Sequence, residues 1–172
     1  MIESQAVPSS DRAQTAVREA QFEDWRYFTR RANQLFDKKA FRSASKFYQK
    51  ALNEARFRHR KSMIAGVEAE NTVALLVITA GNMARNLEEM GDLDGAARLV
   101  HSIGDEFLCA LTSDKCSILY KAECLKHLPR LTGEMIACRT ENRGLLMVRE
   151  DLLGQIKKSA EDLLAHNYPE LS

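Results

Sequence analysis

Residues Phe28 to Ala51 read Phe-Thr-Arg-Arg-Ala-Asn-Gln-Leu-Phe-Asp-Lys-Lys-Ala-Phe-Arg-Ser-Ala-Ser-Lys-Phe-Tyr-Gln-Lys-Ala. Small residues (Ala32, Ala44, Ala51) alternate with large apolar ones (Phe28, Leu35, Tyr48) on either side of the polar break Asp37-Lys38-Lys39. This pattern suits two antiparallel helices that cross closely at the alanines and present their large side chains to a neighbour. The surrounding composition agrees: three prolines, eight glycines and abundant Ala, Leu, Glu, Lys and Arg favour helices over strands. At 172 residues the chain is long enough for one domain with a real core.

A second copy of the pattern lies at Ala80 to Ile103. Ala80, Met83, Ala84 and Leu87 fill the first helix, Gly91-Asp92 the turn, and Ala96, Val100 and Ile103 the second helix. A third begins at Ile118 with Ala122 and Leu125, but Glu134 replaces its small crossing residue. Together these stretches resemble the tetratricopeptide (TPR) repeat, whose hairpins stack into a solenoid. Arg31 departs from the family pattern, which places a leucine-like residue there. The resemblance implies an all-α fold: a short TPR-like α-solenoid of six to seven antiparallel helices with a C-terminal capping helix. It also implies a scaffold that binds a peptide segment.

The spacing adds a feature of its own. Ala44 and Ala96 play the same role 52 residues apart, whereas a TPR period is about 34 residues. Neither proline nor a glycine cluster interrupts Arg56 to Leu76, so the excess lengthens the two middle helices. The reading places a disordered tail at 1–9 and a single domain at 10–172. Helices are expected from Ser10 or Asp11 to Asp37, then at 41–60, 63–90, 93–110 and 114–128. A turn near Lys61 has Ser62 as its N-cap, and Thr112, Ser113 or Asp114 caps the fifth helix. Pro129 ends that helix, and a shorter one starts near Leu131. A last amphipathic helix, 145–166, caps the array with Leu145, Leu146, Val148, Leu152, Leu153, Ile156, Leu163 and Leu164.

The longest apolar run, Val73 to Ile78, is far short of the roughly 20 residues of a membrane span. The polar N-terminus carries Glu3, unlike a secretory signal. A cytoplasmic protein without membrane partners is the expectation. Cys109, Cys116, Cys124 and Cys138 form no C-x-x-C pair, so they read as buried structural thiols, with no metal and no cofactor expected. The four histidines are scattered and no nucleotide-binding or zinc-protease motif occurs, so no enzyme is expected. Glu88-Glu89 reads as a solvated helix face.

Charge is uneven although the net is +1. Met1 to Lys61 holds 14 Lys or Arg against 7 Asp or Glu, and the remainder 11 against 17. The basic half suits an acidic peptide partner, and the dipole also permits a homodimer. The densest cluster, Arg56, Arg58, Arg60 and Lys61, is a candidate polyanion patch, although near-neutral overall charge disfavours nucleic acid. By the TPR resemblance, the partner-binding groove is lined by Arg26, Thr29, Asn33 and Phe36 of the first helix and by Ile78, Gly81, Asn82 and Arg85 of the third. Some TPR domains clamp a chaperone's C-terminal carboxylate with lysines, asparagines and an arginine. Asn33 and Asn82 fall at the asparagine positions, and Thr29 replaces the first lysine. Size and repeat number also resemble the TPR chaperones of type III secretion translocators, whose third repeat Ala122-Glu123-Cys124-Leu125 suits.

Overall fold

The computed structural model describes residues 22–65 and 69–167. The expected tail and the Ser10 or Asp11 cap lie outside them. Six helices and no strand occur among the described residues: α1 (Glu23–Asp37), α2 (Phe41–Ala65), α3 (Ala69–Glu89), α4 (Leu93–Thr112), α5 (Ile118–Ala137) and α6 (Arg143–Asn167). Lys39 and Gly91, at φ 58° and 79°, turn the chain between α1 and α2 and between α3 and α4. Gly91 suits this left-handed conformation because it has no Cβ to clash.

Pairing across these turns fixes the direction of each helix. Phe22 meets Arg58, Phe28 meets Lys50, Asn33 meets Tyr48 and Phe36 meets Phe41, so numbers rise along α1 as they fall along α2. Helices two apart in sequence run parallel instead. Trp25 and Phe36 of α1 meet Thr79 and Arg85 of α3, while Asp94 and Gly104 of α4 meet Asn142, just before α6, and Leu152 within it. These parallel contacts join residues 46 to 54 apart, close to the 52 separating Ala44 from Ala96. The result is an all-α solenoid of two layers, α1-α3-α5 and α2-α4-α6.

The alanines do what their size allows. Ala32, Ala44, Ala51, Ala96 and Ala97 are fully buried where helices cross, and Val73, Leu76, Val77, Val100, Ile103 and Phe107 fill the space between hairpins. Ser117 accepts a hydrogen bond from the Tyr120 N–H at 3.2 Å and caps α5, in place of the expected Thr112, Ser113 or Asp114. Asp92 caps α4 through Gly95 at 2.9 Å.

Two expected breaks are absent. No turn forms at Lys61: α2 continues to Ala65 and Ser62 is buried within it, because Leu52, Ala55, His59 and Ser62 make one uninterrupted inward stripe. Nor does Pro129 end its helix, for α5 runs through it, so the two short helices expected there are one. Tyr120, Cys124, Leu131 and Met135 form a buried stripe at spacings of 4, 7 and 4 residues. Burying four such side chains is worth roughly 1.5–3 kcal/mol each, which outweighs about 3 kcal/mol for an interior proline. The proline is exposed, so its ring meets water.

The last helix also departs in detail. α6 packs chiefly on α4 and barely touches α5. Leu152 and Ile156 are buried as expected, but Val148 and Leu164 face solvent. Gly104 permits the approach, since a Cβ there would lie 2.8 Å from Leu152 Cδ2 and 3.3 Å from Met135 Sδ. Gly104→Val should therefore destabilise the fold by about 1–3 kcal/mol, read by denaturant titration. Pro129→Ala should act oppositely, restoring a helix N–H and raising the melting temperature by roughly 4–8 °C for about 2 kcal/mol.

Candidate functional site

A buried polar network lies where the middle helices are longest. His59 of α2, 2 % exposed, shares a hydrogen bond through Nδ1 with the Tyr120 hydroxyl of α5, and Thr72 of α3 bonds the same phenol. With Nδ1 accepting the phenol proton, the ring's N–H sits at Nε2, 3.8 Å from Glu106 Oε2 on α4. Glu106 is held in turn by Arg56 Nε at 2.8 Å, and Arg56 Nη2 donates to Ser102 Oγ at 2.8 Å. Burial, with the Arg60 and Arg56 guanidinium charges added, pulls the His59 pKa down to about 4. Burial pushes the Tyr120 hydroxyl and the Glu106 carboxyl up.

This geometry divides the basic run Arg56 to Lys61. Arg56 is committed to Glu106 and Ser102. Arg58 pairs with Glu54 at 2.6 Å, its guanidinium 4.8 Å from the Phe22 ring centroid. Arg60 and Lys61 remain exposed. Of the four thiols Cys116, Cys124 and Cys138 are buried as expected, but Cys109 is exposed. Among the described residues no group of three His, Cys, Asp or Glu is placed to hold a metal ion, and no helix is long and apolar enough to cross a membrane.

The groove positions lie on the α1-α3-α5 layer, and the structure brings some of them together. Arg85 extends over the Phe36 ring, 5.4 Å from its centroid, which ties α3 to α1. Asn33 Oδ1 accepts from the Tyr48 hydroxyl at 2.8 Å, so its carbonyl is turned toward α2. The Thr29 hydroxyl is buried without a hydrogen-bond partner. Arg26 is exposed, and Ile78 and Asn82 are half-buried.

On the other side of α3 a cleft of about 470 Å³ opens toward α5. Gly81, Ala84, Arg85, Glu88 and Glu89 of α3 line it, with Leu93 at the start of α4. Glu134 and Ala137 of α5 and the following Cys138 and Arg139 complete it. Gly81 lets the Glu134 carboxylate lie against α3: a Cβ there would sit 3.0 Å from Glu134 Oε1. Cys138 is 7 % exposed, and its pKa is pushed up to about 11 by burial first and then by the Glu88 and Glu134 charges. Neither Glu88 nor Glu134 makes an ion pair with a described residue.

Sequence reasoning reached Gly81 and Arg85 but not Glu134, Cys138 or Arg139, and it took Glu88 for part of a solvated face. A signal was present, because adding the 52-residue period to Gly81 and Glu88 lands within two residues of Glu134 and Cys138.

The His59 network makes stability depend on pH with a definite sign. Its folded pKa lies below the usual 6.5, so the unfolded chain takes up the proton first and stability falls as pH drops from 6.5 toward 4. The imidazole's own share is about 3 kcal/mol, at 1.4 kcal/mol per pKa unit. Glu106 acts in the opposite sense and reduces the net loss. Urea titrations across that window should show this fall, and His59→Gln should flatten it.

Residues 23–142 match the model of a family described as Protein of unknown function (DUF2753). No curated protein and no solved structure matches the chain.

Proposed function

The chain belongs to the DUF2753 family, and since that family's function is unknown we propose one on the geometry: a non-enzymatic adaptor or chaperone that binds an extended segment of a partner protein along the α1-α3-α5 layer. In this reading the hairpins are TPR-like units of lengthened period, and the protein works inside the cell. The observation that carries it is the cleft between α3 and α5, which holds Gly81 and Arg85, two positions that TPR alignment assigns to the groove. Solenoids offer such surfaces because each hairpin adds one helix to a continuous face. Exposed Arg26, Arg30 and Arg31 on α1 suit an acidic stretch of the partner.

A second reading, self-association, is favoured by one observation. Ile136, Met147 and Val148 are between 50 % and 71 % exposed near the junction of α5 and α6, where the array ends. Terminal units of solenoids usually carry a polar outer face.

Capture from a lysate with wild-type protein and with Asn33→Ala/Arg85→Ala, beside light scattering and circular dichroism, separates the two readings. A monomer whose captured partner is lost in the variant at unchanged helicity supports the adaptor. A dimer that captures the same proteins with or without the substitutions sinks it.

A further inference from the structure

The charges of the α3-α5 cleft are unequal in their freedom. Five charged side chains line it, Arg85 and Arg139 against Glu88, Glu89 and Glu134. Arg85 lines the cleft but holds its guanidinium over the Phe36 ring, toward α1. Arg139 is exposed and follows the end of α5. Glu88 and Glu134 are half-buried, line the cleft together with Cys138, and make no ion pair with a described residue. The Cys138 thiol lines the cleft, is more than nine-tenths buried, and makes no hydrogen bond. Gly81, Ala84 and Ala137 are the small residues of the lining, and the Glu134 carboxylate lies against Gly81. Carboxylates that line a cleft without an ion pair offer complementary charge to a ligand cation.

We propose that this cleft is a subsite for a lysine or arginine side chain of the bound segment, with Glu88 and Glu134 as its counter-charges. The proposal rests on the peptide-groove reading above and sharpens it. The segment is bipolar, with an acidic stretch over the arginines of α1 and a basic anchor in the cleft. The order of charge along the layer then sets the direction in which the segment lies.

The test is a 15N-resolved NMR titration of the full chain with two capped probes, acetyl-trilysine amide and acetyl-triglutamate amide. Trilysine should shift the amides of Gly81, Leu93, Ala137 and Arg139 together and saturably, and triglutamate should leave them in place. Glu88→Gln/Glu134→Gln should weaken trilysine binding by about tenfold or more, as expected for the loss of partly desolvated charge pairs. Gly81→Leu, whose side chain would displace the Glu134 carboxylate, should weaken it as well, and Glu150→Gln/Glu161→Gln on the exposed face of α6 should not. Shifts scattered over all acidic surfaces, equal binding by the glutamine variant, or triglutamate in the cleft would overturn the proposal. The groove reading fails separately. A partner lost with Asn33→Ala/Arg85→Ala but retained with Glu88→Gln/Glu134→Gln keeps the groove and removes the basic anchor. Localised trilysine binding with partner capture unaffected by Asn33→Ala/Arg85→Ala does the reverse.

Discussion

One imidazole holds the register of the array. His59 touches Tyr120 and approaches Glu106, and Thr72 completes the set, so a single polar network reaches across α2, α3, α4 and α5. Apolar helix faces tolerate a slip of one turn, because leucines and alanines pack against many partners at similar cost. Hydrogen bonds do not, since moving one helix by a turn would strand a buried phenol and a half-buried carboxylate. The network works only while the ring is neutral, and burial with two neighbouring guanidinium groups ensures that.

The lengthened period follows from where that network sits. Its members occupy α2 beyond Ala55 and the early turns of α3, where the extra residues of the sequence fall. The added turns therefore do not simply project into solvent; they enclose a second, polar core beside the alanine crossings. The end of the layer at the α3-α4 turn is left lighter. There the α3-α5 crossing is set by a glycine against a glutamate, and the cleft opens. Rigidity at one end and an unfilled crossing at the other come from the same 50-residue repeat.

Much of this was readable from the chain. The alanines at 32, 44 and 96 mark the crossings, and their spacing gives the period that the parallel contacts display. What misled was local reasoning applied without neighbours. Pro129 ends a helix by its own chemistry, yet the stripe from Tyr120 to Met135 pays it no heed because α3 and α4 hold both sides of it. His59 stands inside a run of arginines and looks solvated, although helical geometry turns it inward and its neighbours outward. Amphipathicity marked α6 as a cap but could not say that it rests on α4 rather than α5. The cleft was half legible: Arg85 follows from alignment, whereas Glu134 was noticed only as a misfit in a crossing position.

That misfit carries the last step. A glutamate at a helix crossing is tolerated only if the facing residue is small, and Gly81 is that residue, although a helix-interior glycine costs about 1 kcal/mol relative to alanine. Replacing both by an alanine pair would close the crossing and strengthen the helix, so packing alone does not account for the combination. Arg85, one turn away, would be the simplest partner for Glu134, yet it lies over Phe36, where a cation–π contact is worth about 0.5–1 kcal/mol. The fold thus turns the Arg85 guanidinium toward Phe36 and leaves Glu88 and Glu134 without an ion pair to a described residue. A site for a cation from outside is the arrangement in which both choices, glycine at 81 and glutamate at 134, have a physical reason.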